Sequence, residues 1–179
     1  RELAIDVGCG DGALLELLAP LFSRVIAVDR SPSQLAKTAA RIQNRGYANV
    51  SLFEGNFDDT TLRERVDPVG GADLIYCSRV LHHAPRPSQA LNSMRRLLKP
   101  NGHLIVVDYL THQDETMRQQ GDIWLGFSPD DLKSRMQSAG LDFIGQAEIP
   151  TSFSSQGSQE QLPWQFIIGR NLSSTHPTM

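Results

Sequence analysis

The chain has 179 residues, 40% of them hydrophobic, and a net charge of −3 from 17 Lys and Arg against 20 Asp and Glu. This length fits a single domain with a sizeable core, and the charge argues against a protein that binds nucleic acid through clustered basic residues. Two cysteines are too few for a disulfide framework or a four-thiolate zinc site. No apolar run is long enough to cross a membrane, so we expect a cytoplasmic protein without membrane contact.

Short apolar runs alternate with helical patterns from the first residues onward. Seven runs predict strands, at 3–7, 24–29, 50–55, 73–77, 103–109, 143–149 and 164–168. Helices are predicted over 12–22, 32–45, 87–98 and 129–139. The second has a capping box in Ser31 and Gln34 with Pro32 at its first position, and Gly46 is its stop signal. The alternation predicts an α/β fold with a doubly wound parallel sheet.

We expect the folded domain to cover 1–170. The segment 151–163 is polar, rich in Ser and Gln, and predicted to be mobile. The residues 171–179 are predicted to form a flexible tail.

The first predicted strand runs into a glycine-rich loop. Gly8, Gly10 and Gly12 would allow a tight turn and let a ligand lie against the backbone. The next helix adds free N–H groups suited to an anionic group. Asp29, at the end of the second strand, can accept hydrogen bonds from both hydroxyls of a ribose. Together these features predict an adenosine-containing cofactor.

The charges around this loop separate two candidate cofactors. Gly8, Gly10 and Ala13 also satisfy the dinucleotide fingerprint, so NAD stays an alternative. Asp6 and Asp11, however, would repel a pyrophosphate. The same carboxylates would attract the ammonium and sulfonium groups of S-adenosylmethionine, which we therefore favour.

The order of the motifs resembles that of class I S-adenosylmethionine-dependent methyltransferases, over residues 3–170. They are Asp6-x-Gly8-x-Gly10-x-Gly12, Asp29, Leu-His-His-Ala-Pro at 81–85 and Leu-Lys-Pro-Asn-Gly-His-Leu at 98–104. The resemblance implies a three-layer, doubly wound, Rossmann-like sheet of seven strands, mostly parallel with an antiparallel last strand. It also implies S-adenosylhomocysteine as the product.

By this resemblance, Gly8 and Gly10 would lie against the methionine portion of the cofactor, and Asp29 would bind the ribose. Asp6 and the carbonyl of Ser78 would face the methionine amino group.

The resemblance also places Asn56 and Phe57, after the third strand, on either side of adenine, with Gly12 completing the cofactor loop. The family more often has Asp at the position of Asn56, but an amide oxygen can still accept from the adenine amine.

A narrower resemblance concerns 108–118 and 124–128. These segments look like bacterial type 11 methyltransferase domains that follow an ArsR-type winged-helix domain. Because the sequence starts at Arg1 rather than Met, we expect a longer natural product. The resemblance implies a DNA-binding domain and a helix that covers the cofactor upstream of this chain, and no nucleic-acid contact through the domain itself.

For methyl transfer the protein mainly has to position the acceptor, so the acceptor site is harder to predict from the sequence than the cofactor site. His82 and His83 follow the fourth strand and either pack or cap locally, or act as a base or orient the acceptor. His112, Glu115 and Arg118 share a helical face, which is either a solvated face with a Glu–Arg pair or part of the acceptor site. The catalytic candidates are His83 and His112.

The metal-ligating residue types and two aromatic residues near the predicted acceptor site allow further interpretations. His82, His83, Asp108, His112 and Glu115 include metal-ligating types, but their spacing does not require an ion, so no metal is predicted. Trp124 and Phe127 are either core residues or an aromatic wall for the acceptor.

The sequence therefore predicts an enzyme that transfers a methyl group from S-adenosylmethionine to a small-molecule acceptor by in-line displacement. One alternative is a non-catalytic S-adenosylmethionine-sensing or interaction domain of a regulator. A second alternative is an NAD-dependent oxidoreductase. The sequence predicts neither the identity of the acceptor nor the oligomeric state.

Overall fold

The structure, a computed structural model, describes residues 1–150 and 162–172. Seven strands form one sheet: β1 (Leu3–Val7), β2 (Arg24–Asp29), β3 (Val50–Glu54), β4 (Ala72–Ser78), β5 (Leu98–Tyr109), β6 (Leu141–Ile149) and β7 (Trp164–Asn171). The α-helices of the described residues are α1 (Leu15–Leu18), α2 (Pro32–Arg45), α3 (Thr60–Val66), α4 (Pro87–Leu97) and α5 (Pro129–Ser138). Short 3-10 helices cover Asp67–Val69, Leu81–His83 and Glu115–Gln120.

The strand order is β3-β2-β1-β4-β5-β7-β6. The strands β1 to β5 pair in parallel, whereas β7 runs antiparallel to both β5 and β6. This topology confirms the predicted Rossmann-like sheet with an antiparallel last strand. The order reverses between β1 and β4, and in such sheets ligands bind beyond the carboxyl ends of the strands at that switch point.

The sheet is covered on both faces, as the alternation of strands and helices predicts. Every residue of β1 is buried. Because successive side chains of a strand point to opposite faces, Ile5 belongs to the core cluster under α4 and α5, and Ala4 to the cluster under α1 and α2. The central strand is therefore a buried platform, and its carboxyl end carries the glycine loop.

The predicted ends of α2 are confirmed, but of the capping box only the Ser31 half forms, since the backbone N–H of Ser31 donates to Asp29. The Ser31 hydroxyl accepts a hydrogen bond from the backbone N–H of Gln34 at 3.4 Å, and Pro32 occupies the first turn. The helix ends where Gly46 adopts the left-handed conformation, at φ 70°. These contacts fix the start of α2 directly after Asp29.

The prediction of a helix over 12–22 was wrong in length, because α1 contains four residues only. Gly12 has φ 77°, which a right-handed helix does not allow, and Pro20 lacks an N–H to continue the helix. The leucines also do not form one buried face, since Leu15 is buried while Leu17 is 64% exposed.

The strand β5 is longer than predicted. Residues 99–102, whose Lys-Pro-Asn-Gly sequence is typical of a turn, lie within it, at an irregularity between two paired segments: Leu98 pairs with Ala72, and His103 pairs with Leu74. Asn101, with φ 63°, adopts the left-handed conformation that a turn needs. The turn chemistry is thus present, but it interrupts the pairing of β5 with β4 instead of lying outside the strand.

The strand β7 reaches Asn171, the first residue of the predicted tail. The Asn171 side chain donates to the carbonyl oxygen of Leu98 at 3.1 Å, so this residue is part of the sheet. Residues 173–179 of the predicted tail, and residues 151–161 of the segment predicted to be mobile over 151–163, lie outside the described residues. No helix within the described ranges is long and apolar enough to span a membrane.

Candidate functional site

A cavity of about 890 Å³ opens beyond the carboxyl ends of β1, β2 and β4. The predicted site residues that line it are Asp6, Gly8, Gly10, Asp29, Asn56, Ser78 and His83. Three others, Gly12, Phe57 and His112, are not among its lining residues. The cavity therefore brings together most of the predicted cofactor residues and one of the two catalytic candidates.

The glycine loop is fixed by backbone contacts. The N–H groups of Gly8 and Cys9 both donate to the carbonyl oxygen of Val28, at 2.8 and 3.0 Å. Gly8 has φ 71°, and a Cβ there would lie 2.2 Å from the Cγ2 of Val80. A Cβ on Gly10 would meet no atom within 4 Å, so this residue faces open space in the cavity.

Gly12 has a packing role in the loop. A Cβ at this position would lie 2.8 Å from the Cγ2 of Thr38 on α2. The Thr38 hydroxyl donates to the carbonyl oxygen of Gly10 at 2.7 Å. The absence of a side chain at Gly12 thus lets the loop approach α2 closely.

Asp29 joins the end of β2 to the glycine loop. One carboxylate oxygen accepts from the N–H of Gly10 and the other from the N–H of Ser31, both at 2.9 Å. Each oxygen of a carboxylate can accept a second hydrogen bond. Asp29 can therefore hold the loop and still accept from two hydroxyl groups of a ligand in the cavity.

Asp6 is a buried carboxylate with one oxygen that no described residue contacts by a hydrogen bond. Its side chain is 2% exposed, and its Oδ2 has no hydrogen-bond partner among the described residues. Burial, together with the negative charge of Asp29, raises the pKa of Asp6 to about 7. Burial also raises the pKa of the neighbouring Cys9 thiol to about 12, so this thiol is not a nucleophile. A cation in the cavity would satisfy Asp6.

The segment after β3 places its two predicted residues differently. Asn56 lines the cavity, and its Oδ1 accepts from the N–H of Phe57 at 3.0 Å. Phe57 is buried in the core cluster that includes Leu62. A contact between this chain and adenine would therefore come from Asn56 more directly than from the Phe57 ring.

Sequence reasoning missed other lining residues, among them Arg30, Lys37 and Tyr76. Arg30 could have been found, since it directly follows Asp29 at the strand end. Lys37 and Tyr76 carry no comparable signal, because they lie inside α2 and β4 and face the cavity only once these elements are packed.

The two adjacent histidines after β4 have different surroundings. His82 is 3% exposed, and its Nδ1 lies 2.8 Å from Oδ1 of Asp108, which is fully buried. The backbone N–H of His82 also donates to Asp108 at 3.2 Å. His83 lies at the cavity wall, with its Nδ1 3.1 Å from the carbonyl oxygen of Gly121. The Nε2 atoms of the two rings are 3.1 Å apart.

His112 lies near this pair but outside the cavity lining. Its ring contacts that of Tyr109 edge-on at 5.4 Å between centroids, and Tyr109 in turn lies 4.9 Å from His82. The Nδ1 of His112 accepts from the N–H of Asp114, so the ring proton is on Nε2. That atom is buried and has no partner within the described part of the chain. Burial lowers the pKa of His112, so its neutral form is favoured.

The other acceptor candidates have structural partners. Arg118 donates to Glu115 at 2.6 Å on an exposed 3-10 helix, as the solvated-face interpretation predicts. Trp124 donates to the carbonyl oxygen of Ala84 at 2.9 Å and stacks on Phe127, which is buried. Neither aromatic residue lines the cavity, so both belong to the core packing.

The metal-ligating residues group differently from the set that the sequence suggested. Among the described residues, one group could hold an ion, namely His82, His83 and Asp122. Asp108 instead contacts the far side of His82, and Glu115 pairs with Arg118. Asp122 lies 40 residues after His82, and nothing in the sequence connects the two.

Comparison with known proteins identifies the family. A family model described as a methyltransferase domain matches residues 2–149. The ubiquinone biosynthesis O-methyltransferase of Xanthomonas oryzae is 32% identical over 102 residues, which are 57% of this chain and 41% of that protein. The chain therefore spans less than half the length of this curated relative.

Two solved structures share the fold. The BH2331 protein of Bacillus halodurans has a TM-score of 0.77 at 16% identity, with 97% of this chain and 94% of that chain covered. The N-methyltransferase NodS of Bradyrhizobium japonicum, solved with S-adenosylhomocysteine, has a TM-score of 0.70 at 20% identity, with 95% and 78% covered.

These comparisons do not show the narrower resemblance to domains that follow an ArsR-type regulator. They do bear out the broader one, because the family match covers the glycine loop and all of the parallel strands. The chain belongs to the methyltransferase domain family, of the class I, S-adenosylmethionine-dependent type.

Proposed function

We propose that this chain binds S-adenosylmethionine in the cavity and catalyses transfer of its methyl group to a small-molecule acceptor. The observation that carries the proposal is the buried Asp6, which lines a cavity bounded by the glycine loop and whose Oδ2 has no partner among the described residues. An ammonium group at this position would keep Asp6 ionised and satisfy the free oxygen. The cofactor supplies an electrophilic methyl group on a sulfonium.

The donor site would be held by the chain's own residues in three places. Asp6 would accept from the amino group, Asp29 from the ribose hydroxyls, and Asn56 would contact adenine. Gly8 and Gly10 would let the methionine portion lie against the loop, while the carbonyl of Ser78 borders the same space. Phe57 and Gly12 would support these contacts from behind, through the core and through α2.

The preference over NAD rests on Asp6 more than on Asp11. Asp11 is paired with Arg41 at 3.0 Å and is about half exposed, so its charge is partly neutralised. Asp6 has no such partner among the described residues and would lie beside a bound pyrophosphate. Binding of NAD, which the oxidoreductase alternative requires, would therefore place its pyrophosphate next to a buried carboxylate, which is unfavourable.

We place the acceptor near His83 and His112, which would orient it for in-line attack. His83 lies at the cavity wall, with its Nε2 3.1 Å from the Nε2 of His82. His112 carries its proton on a buried Nε2 without a partner in the described ranges, so it can donate a hydrogen bond but not accept one there. Both histidines would thus position the acceptor, and a base is required only if the attacking atom carries a proton.

The proposal extends to the surroundings of the domain. We expect a small-molecule acceptor, a cytoplasmic location, no nucleic-acid contact through this domain and a DNA-binding domain elsewhere in the natural protein. Because the Xanthomonas relative is named an O-methyltransferase, acceptors that are methylated on oxygen are the first to test.

Methyl transfer from labelled S-adenosylmethionine to a panel of phenols, amines and fatty acids tests the proposal. We expect transfer to at least one acceptor, abolished in Asp6→Ala and retained in the surface variant Asp142→Ala. Binding of S-adenosylhomocysteine without transfer to any acceptor would favour the sensing domain, and binding of NAD alone would favour the oxidoreductase. Either result would overturn the enzyme assignment.

A further inference from the structure

We propose that His82, His83 and Asp122 form a binding site for a divalent transition-metal ion at the wall of the cavity. The fold brings them together from the loop after β4 and the loop before α5, and their ligand atoms all lie within 4.8 Å of one another. Two imidazoles and a carboxylate are a common donor set for zinc, iron and cobalt in proteins.

The orientation of the two rings places their Nε2 atoms next to each other. The Nδ1 of His82 faces a carboxylate oxygen of Asp108 at 2.8 Å, so the proton is on Nδ1. The Nδ1 of His83 faces the carbonyl oxygen of Gly121 and Oδ1 of Asp122, at 3.1 and 3.4 Å, so it too carries a proton. In the neutral rings, both Nε2 atoms then present lone pairs to each other across 3.1 Å. A metal ion bound by both nitrogens would remove this repulsion, as would a proton shared between them.

The charge of the surrounding carboxylates also calls for a cation. The side chain of Asp122 is 1% exposed, and its Oδ2 has no partner in the described part of the molecule. Asp108 is fully buried on the other side of His82. Two buried carboxylates beside the two rings form a cluster that a positive group would stabilise in a protein interior.

The distances agree with coordination to one ion. With metal–nitrogen bonds of about 2.05 Å, two nitrogen ligands lie about 2.9 Å apart at a right angle and about 3.3 Å apart in a tetrahedral site. The observed separation of 3.1 Å falls between these values. Oδ1 of Asp122 lies 3.6 Å from Nε2 of His82, so a small movement of the carboxylate would complete the ligand set.

Asp108 supplies the outer contact that such sites require. A metal-binding histidine usually donates its second ring N–H to a carboxylate, which fixes the ring and makes the ligating nitrogen more basic. Asp108 accepts from the Nδ1 of His82 and also from its backbone N–H. The ring of His82 is therefore oriented toward the site before an ion binds.

The site adjoins the cavity through His83, which lines it. Three protein ligands leave coordination positions for other groups, as in catalytic zinc sites. If the proposed function is correct, an oxygen of the acceptor would bind there, so His83 would orient the acceptor through the ion. This last step rests on the proposed function, whereas the binding of the ion does not.

Titration of the chelator-treated full chain with Zn²⁺ and Co²⁺ tests the site, by calorimetry and by the visible absorption of Co²⁺. We expect one ion per chain. His83→Gln, whose side chain is 34% exposed and can be replaced without opening the core, should lose binding by more than the about 10–100-fold expected for the outer variant Asp108→Asn. His103→Gln, a histidine on β5 outside the cluster, should bind as the unmodified chain does.

Failure of both ions to bind would overturn the proposal. So would one-to-one binding that persists in His83→Gln and Asp122→Asn, because the ion would then bind elsewhere. Thermal unfolding of each variant checks that it is folded, and if Asp122→Asn is not, His83→Gln decides alone. Methyl donor and acceptor are absent from these titrations, so their result is independent of whether the chain transfers methyl groups.

Discussion

The two halves of the site are built from different kinds of contact. On the β1–β2 side the backbone shapes the cavity, through the glycine loop and the two N–H groups that Asp29 accepts from. On the β4–β5 side, side chains hold one another, as His82 and Asp108 do. Backbone shape demands particular residues at fixed spacing, whereas side-chain clusters can be assembled from loops distant in sequence. The β1–β2 side, the donor half that would hold the methyl donor, can therefore be predicted from the sequence. The β4–β5 side, the acceptor half, depends on how distant loops pack in the fold.

The most severe way to break the donor half is Gly8→Ala. The new Cβ would lie 2.2 Å from Val80 at a backbone φ of 71°. We expect loss of S-adenosylhomocysteine binding and a free energy of unfolding lower by at least about 1–3 kcal/mol, the cost of the backbone strain alone. Denaturant unfolding and calorimetry measure both effects.

Gly46→Ala is the matched control, because it has φ 70° in open space at the end of α2. It should lose stability through the same strain but bind the ligand normally. Equal losses of stability in the two variants would contradict the steric argument at Gly8.

Asp29→Ala removes the acceptor of two backbone N–H groups as well as the predicted ribose contact. We expect S-adenosylhomocysteine affinity to fall by about 1–3 kcal/mol in binding free energy, since polar groups lose their partner. Asp11→Ala is the control, because Asp11 also lines the cavity but pairs with Arg41. If Asp11→Ala weakened binding as much as Asp29→Ala, the assignment of the ribose to Asp29 would be wrong.

The buried Asp6 predicts a pH dependence with a definite sign. Its folded-state pKa of about 7 lies above the unfolded value of 3.8, so the folded chain binds the extra proton between these pH values. Stability of the ligand-free chain should therefore fall as the pH rises from about 4 to about 7, and change no further above that through this group.

Ligand binding should show the opposite trend at the same residue. An ammonium group pairs with ionised Asp6, so S-adenosylhomocysteine should bind more tightly as the pH rises toward 7, by up to about tenfold per pH unit. Calorimetry in buffers of different ionisation enthalpy should detect a proton released on binding below pH 7. Asp6→Asn should show neither trend, and a pH-independent affinity in the unmodified chain would exclude Asp6 from the ammonium site.

The smallest expected effect is that of Glu115→Ala on the exposed 3-10 helix. An exposed ion pair contributes little, so stability should change by less than about 0.5 kcal/mol and methyl transfer should not change. Arg118→Ala should cost more stability, because Arg118 also donates to the carbonyl oxygen of Ile123 at 2.9 Å. A large loss of transfer in Glu115→Ala would place this face in the acceptor site after all.

Local signals predicted the fold well where they were sufficient. The caps of α2 and the alternation around β1 are short-range features, and both are confirmed. The predicted length of α1 was wrong, because the helical periodicity of the leucines does not reveal that Gly12 adopts a positive φ. The predicted start of β5 at residue 103 was wrong for a related reason. The turn signal at Asn101 does not tell whether strand pairing continues on both sides of the turn.

The candidate site divides in the same way. Asp6 and Asp29 could be named from their distance to the glycines, because the βαβ geometry fixes that spacing. Asp122 could not be named, since its approach to His83 depends on how the loop before α5 packs. Tyr76 was missed because a residue inside a strand gives no sign of which face meets the cavity.

The central claim, that the cavity binds S-adenosylmethionine through Asp6, is tested most directly by calorimetric titration with S-adenosylhomocysteine at pH 8, beside NAD and NADP. The account predicts binding of S-adenosylhomocysteine at one per chain, no binding of either dinucleotide, and a marked loss of affinity in Asp6→Ala. Binding of NAD, or unchanged affinity for S-adenosylhomocysteine in Asp6→Ala, would contradict it.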